Sequence, residues 1–443
     1  MSNLKIVANS YLAPVIYKII IYTNFTLKYN HTIMTNPYLI FILAVLILQY
    51  LLDLIVDLLE TRSLDSVVPS EFRDIYDEDE YARSQRYTRV RTRFGQVSTT
   101  LSLIVTIGFI LLGGFNIVDG FARQFSLGAI PTGLLFIGIL TLLSSLLSIP
   151  FSIYSTFVIE ERFGFNKTTV KTFVADLIKG TLLSALIGAP LLAMMLWFFE
   201  ATGQLAWLYA WIGVTLSTFV VQFLAPVLIM PLFNKFTPLE DGELKEKITA
   251  YAQKESFALE GIYTMDGSKR STRLNAFFTG FGKFRRIVFF DTLMEKLDDD
   301  EIVVVLAHEM GHFKLKHILK MMVASILQSG LMFFILSLFL ENELLFAAFG
   351  MQNLSIYASL TFFVFLYSPI SFLLSIFFSV SSRKHEYEAD AFAVETTSMG
   401  EALISGLKKL SVHNLSNLTP HPLNVFLNYS HPPVLERIRA IKE

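Results

Sequence analysis

Asp298-Asp299-Asp300-Glu301-Ile302-Val303-Val304-Val305-Leu306-Ala307-His308-Glu309-Met310-Gly311-His312 is the stretch that decides how this 443-residue chain is read. Acids at its front suit the positive end of a helix dipole, so the apolar run behind them predicts a buried helix beginning near residue 299. Residues four apart on a helix share one face. Both imidazoles of the H-E-x-x-H can therefore reach one zinc ion, with Glu309 beside it as general base for an attacking water. His and Glu are costly on an otherwise apolar helix unless they are paired or ligate a metal. A catalytic zinc wants three protein ligands and one open position. The metzincin pattern would need Gly at 315 and His at 318, where this chain has Leu315 and Ile318, so the third ligand must come from elsewhere.

A second polar stretch, Arg383-Lys384-His385-Glu386-Tyr387-Glu388-Ala389-Asp390, holds two acids four apart. On a helix, Glu386 can ligate while Asp390, one turn on, accepts a hydrogen bond from a ligand histidine and fixes its tautomer. His385 and Glu388 are the nearest rivals, but neither is followed by an acid four positions later. His317, nine residues from His308, is turned well off the ligand face of a straight helix.

Around these motifs the composition is that of a membrane protein. The chain is 53% hydrophobic and 17% charged, with 41 Phe and a mean hydropathy of +0.53, whereas soluble domains carry about 25% charged residues. That excludes a disordered chain, a disulfide scaffold and an ordinary soluble enzyme. The absence of Cys excludes thiolate zinc sites and a cysteine nucleophile. A net charge of -2 gives no basic field for nucleic acid. Stretches long enough to span a bilayer are expected near 38–59, 98–118, 130–154, 176–199, 205–231, 321–340 and 355–380. An eighth candidate, Tyr11 to Leu27, is interrupted by Lys18 and reads as a signal-like or interfacial segment or an upstream extension.

Cytoplasmic loops are enriched in Lys and Arg. The connection 60–97 carries Arg62, Arg73, Arg83, Arg86, Arg89, Arg91 and Arg93, and 155–175 carries Arg162, Lys167 and Lys171. The alternate connections are poor in basic residues, with only Arg123 in 119–129 and none in 341–354. The expected division is an N-terminal extension at 1–33, five spans within 34–231, a polar domain with the H-E-x-x-H at 232–320, two spans within 321–381, and a tail 382–443 that returns to the same cytoplasmic face. Within 232–320 a helix is expected at 239–256, and a β-hairpin formed by 273–280 and 286–291.

The motif His308–His312, the run Glu386–Ala393 and the tail Tyr429-Ser430-His431-Pro432-Pro433-Val434-Leu435-Glu436-Arg437 together resemble the integral-membrane CaaX prenyl endopeptidases of the sterile-24 type, which are gluzincin metalloproteases. Glu160-Glu161-Arg162-Phe163-Gly164-Phe165-Asn166 and Asn275–Gly280 fit the same pattern. The similarity runs from about Met34 to the C-terminus; residues 1–33 have no place in it. The resemblance implies a multi-span α-helical membrane protein: seven transmembrane helices enclosing a chamber, with a small α+β gluzincin-like zinc protease domain. Its partners would be the lipid bilayer and prenylated proteins, cut near their C-terminal CaaX motif. It would lie in the endoplasmic reticulum membrane of a eukaryote or the inner or plasma membrane of a prokaryote. Carried over, His308, His312 and Glu386 would bind one catalytic Zn2+, Glu309 would activate water, and Asp390 would support a ligand histidine. Asn275, at the start of an edge strand, would receive the substrate peptide. His431 and Arg437 would stand near the metal, where such groups stabilise a tetrahedral oxyanion. Two other readings compete: a quality-control protease like the bacterial HtpX group, and a seven-helix transporter or receptor with an incidental motif. Against the latter, the spans hold few internal acids, chiefly Asp53, Asp57 and Asp176.

Overall fold

The computed structural model describes residues 35–65, 67–280 and 285–443; the candidate segment Tyr11–Leu27 and the expected extension 1–33 lie outside the described residues. The chain enters α1 (Pro37–Ser63), whose first free N–H groups are capped by the Asn36 side chain. It then runs through α2 (Glu78–Leu111), α3 (Gly114–Arg123), α4 (Ala129–Tyr154), α5 (Val170–Ala201) and α6 (Ala206–Leu224). A polar region follows with β1 (Phe236–Pro238), α7 (Glu243–Lys254), β2 (Gly261–Met265), β3 (Ala276–Thr279), β4 (Arg286–Phe290) and α8 (Asp299–Lys314). The helices α9 (His317–Ser337) and α10 (Ile356–Thr397) make a hairpin, and α11 (Gly400–His413), α12 (Pro422–Asn428) and α13 (Val434–Lys442) complete the chain.

Among the described residues, seven helices are long and apolar enough to cross a membrane, and they fall on the seven expected spans. Two boundaries differ from the sequence reading. The second span does not reach 118: Gly113, at φ 69°, ends α2 and starts the separate helix α3. Nor is 60–97 a loop throughout, because residues 78–97 are the first turns of α2, and their arginines ride on the helix that enters the bilayer. In the most apolar windows of the seven helices only 0 to 17% of residues are buried. A solid bundle would bury more of each helix; long faces of these spans are left uncovered by protein, as expected of helices arranged around a chamber.

The sheet order is β1-β2-β4-β3, with β2 and β4 parallel and the other pairs antiparallel. The expected hairpin is β3 with β4; β1 and β2 add two strands that the sequence reading left out. Helix α8 packs on this sheet, burying Ile302, Val303, Leu306, Ala307 and Met310 with Ile248, Ile262, Ile287 and Phe289. Ion pairs tie the sheet to the membrane helices. Arg270 forks onto Asp176 at 2.7 and 2.9 Å, and Arg273 reaches Glu160 at 3.0 Å, which also accepts from the Tyr87 hydroxyl at 2.6 Å. The 42-residue helix α10 is about 63 Å long at 1.5 Å per residue. It outlasts the bilayer and carries its last turns into the polar domain, so one rod is both the seventh span and a wall of the site.

Candidate metal centre

A capping box fixes the start of α8. Asp298 accepts from the Glu301 N–H at 3.0 Å, and Glu301 accepts from the Asp298 N–H at 2.9 Å. Glu301 also takes Ser405 and Lys409 from α11 at 2.6 and 2.7 Å, which sets the helix phase against its neighbour. That phase turns His308 and His312 toward α10. The two helices touch where side chains vanish: a Cβ on Gly311 would lie 3.1 Å from the Ala389 Cα, and Ala307, Ala389 and Ala393 are fully buried. The close approach lets the short Glu386 side chain reach both histidines.

Donor atoms from three residues converge there. His308 Nε2 and His312 Nε2 are 3.3 Å apart. Glu386 Oε2 is 3.5 Å from His308 Nε2, and its Oε1 is 3.3 Å from His312 Nε2. Donors bound tetrahedrally at zinc bond lengths of about 2.0–2.2 Å stand about 3.3–3.5 Å apart. The donor set therefore has the right chemistry and spacing for one such ion. Glu386 Oε2 is buried and accepts no hydrogen bond from the described residues, as a carboxylate oxygen reserved for a cation would be.

Behind the triangle, Asp390 Oδ1 lies 2.8 Å from His308 Nδ1. Arg437, from α13, forks onto the same carboxylate at 2.7 and 2.6 Å, with its remaining nitrogen 3.4 Å from Glu386 Oε2. Arg437 thus spends two nitrogens holding Asp390, a role that its spacing in the sequence does not reveal. Glu309 is half-buried next to the cluster, and loss of water raises its carboxyl above the usual carboxylate range, which strengthens it as a base. His431 is exposed; its Nε2 is 3.4 Å from Glu386 Oε1 and its Nδ1 3.0 Å from the Ser430 hydroxyl. It rims a 550 Å³ cavity that Arg91, Arg273 and Asn417 also line. Asn275 is exposed at the entry to β3, the edge strand, where its carbonyl accepts from Phe290 N–H at 3.0 Å. Its contacts are in the sheet. One residue escaped sequence reasoning and another was set aside by it. Asn414 pins the strand entry by donating to the Leu274 carbonyl at 3.1 Å and accepting its N–H at 3.0 Å. His317 has Nδ1 3.2 Å from His312 Nδ1. No signal in the sequence pointed to Asn414, and the straight-helix phase that turned His317 away does not hold past Lys316.

A chambered membrane assembly whose H-E-x-x-H helix meets a carboxylate from the last span defines an integral-membrane metalloendopeptidase. The chain belongs to peptidase family M48: residues 238–443 match the model of that family, and residues 57–235 match "CAAX prenyl protease N-terminal, five membrane helices". It is 34% identical to the CAAX prenyl protease 1 homolog of Arabidopsis thaliana over 92% of this chain and 98% of that one. To the CAAX prenyl protease 1 of Saccharomyces cerevisiae it is 35% identical over 85% and 89%. The crystal structure of S. mikatae Ste24p superposes with a TM-score of 0.88 at 33% identity, covering 92% of this chain and 100% of that one. With the family shown, the transporter or receptor reading falls, because the zinc-type motif is not incidental.

Proposed function

We propose that this protein is a zinc endopeptidase that hydrolyses a peptide bond near the C-terminus of prenylated CaaX proteins. The observation that carries the reading is the meeting of His308 Nε2, His312 Nε2 and the two Glu386 carboxylate oxygens, with contacts of 3.3 to 3.5 Å, where the H-E-x-x-H helix packs on the extension of the last membrane-spanning helix. These three residues would hold one Zn2+, which when bound polarises a carbonyl and makes water more acidic. Glu309 takes a proton from the attacking water and returns it to the leaving amine as the C–N bond breaks. Asp390, itself clamped by Arg437, keeps the His308 Nδ1 proton in place, so that Nε2 presents its lone pair. The substrate chain adds to the free edge of β3 beginning at Asn275, through main-chain hydrogen bonds. His431, exposed and within 3.4 Å of Glu386, donates to the oxyanion as the carbonyl carbon becomes tetrahedral.

The substrate reading draws support from the names of the relatives and from the chamber, which an enzyme cutting only soluble peptides would not need. The Lys and Arg alternation supports a cytoplasmic site, in the endoplasmic reticulum membrane if the source is eukaryotic. A buried isoprenoid contributes about 0.8 kcal/mol per CH₂ removed from water, so a farnesyl group should lower KM. The test compares one peptide with and without the lipid on the purified protein. Preference for the farnesylated form is expected; equal kcat/KM would leave the protease and remove the CaaX substrate, favouring a quality-control role.

A further inference from the structure

We infer that His317 is a positioning residue for His312, and that it acts through Glu388. The inference rests on the reading of His312 as a metal ligand, and it concerns the one ligand histidine for which that reading gives no partner. His308 has its Nδ1 against Asp390 at 2.8 Å. For His312 the corresponding contact is His317 Nδ1 at 3.2 Å, and His317 in turn has Nε2 2.8 Å from Glu388 Oε2.

The order of protons along this line follows from what each group can do. An ionised carboxylate only accepts, so His317 Nε2 carries a proton and donates it to Glu388. A neutral imidazole then has an acceptor at Nδ1. Two ring nitrogens at 3.2 Å need one proton between them, and it must belong to His312 Nδ1. That leaves His312 Nε2 with a free lone pair, aimed at His308 Nε2 and Glu386 Oε1. Each ligand histidine thereby has its own anchor ending in a carboxylate, Asp390 for one and Glu388, through a second imidazole, for the other. Such outer partners orient the ring and raise its basicity.

The backbone is built to deliver this contact. On a straight helix His317 would face away from the ligand pair, as the sequence reading expected. Instead α8 stops at Lys314 and Lys316 adopts φ 59°, so that α9 begins at His317 with a new direction. A left-handed lysine costs energy and persists only where its surroundings over-determine it. His317 is buried to 2% exposure and its ring stacks on His385 with centroids 4.0 Å apart and planes 10° from parallel. These contacts leave the imidazole one orientation. His317, His385 and Glu388 also lie close enough to suggest a second metal, but the 2.8 Å from His317 to Glu388 is a hydrogen-bond length, shorter than the spacing of about 3.3 Å between donors sharing a zinc.

The test uses the full chain purified in detergent, with zinc affinity read by chelator competition and the Co2+ form read by its visible ligand-field bands. The wild type should hold one zinc per chain. His317→Leu should weaken zinc about 10–100-fold and shift the cobalt bands, whereas His317→Asn, whose side-chain oxygen can accept from His312, should recover most of the loss. Glu388→Ala should weaken zinc and Glu388→Gln should not, since the amide oxygen also accepts; this pair carries the test if His317→Leu does not fold. Wild-type affinity and bands in both His317→Leu and Glu388→Ala would overturn the inference. So would two zinc ions per wild-type chain with one lost in His317→Leu, which would make the cluster a second metal site. Failure of the ligand reading looks different: no zinc in the wild type, or full zinc in His312→Ala.

Discussion

Where α8 crosses α10, a Cβ added to Gly311 would sit 3.1 Å from the Ala389 backbone, and His308, Glu386 and Asp390 are all buried. In α4, α5 and α6 contacts are patchier: a Cβ on Gly133 or Gly213 would meet side chains at 2.9 Å, but at most 11% of the apolar window residues are buried, and a Cβ on Gly138, Gly180 or Gly188 would meet nothing within 4 Å. One region is closely packed around its polar side chains, and the other has long helix faces that no described neighbour covers. The contrast matches two tasks. Three donor atoms can be held at ion-binding distances only by a scaffold that does not yield, because packed interiors resist displacement. A chamber that admits a lipid-bearing chain must leave its wall helices without neighbours on one side.

Substitutions should separate the two regions sharply. Glu309→Gln, which keeps the shape of the site and removes the proposed base, should lower kcat by about 10²–10⁴ while zinc content, read by elemental analysis, stays at the wild-type level. Gly311→Leu should force α8 and α10 apart, costing about 1–3 kcal/mol in stability; a thermal melt and a zinc titration should show both a lower Tm and weaker metal. If Gly311→Leu retains wild-type zinc affinity, the claim that close packing sets the donor spacing fails. Gly138→Ala, in the open half, should change stability by less than about 1 kcal/mol, upward if at all, since alanine is the better helix former. A large loss there would mean that α4 is packed more tightly than its exposure indicates.

Much of the site was legible because the chemistry is local in sequence. His308 and His312 share one helix turn, as do Glu386 and Asp390, and a period of 3.6 residues converts each spacing into a face. The spans were legible by length and hydropathy. What stayed hidden depends on chain reversals or long-range pairing. Gly113 gives no hydropathy signal for ending α2 at Leu111. Strand β1 is three residues long and contains Pro238, and β2 is defined by parallel pairing with β4, more than twenty residues away. His317 looked misdirected because one left-handed residue, Lys316, cannot be read from composition. Arg437 lies in a short tail helix whose register on Asp390 comes only from packing.

The central claim is that His308, His312 and Glu386 hold a single zinc between α8 and α10. Elemental analysis of the purified chain tests it most directly, with the His308→Ala/His312→Ala double variant measured beside the wild type. One zinc per wild-type chain and none in the double variant is the predicted result; stoichiometric zinc in the double variant would contradict the account.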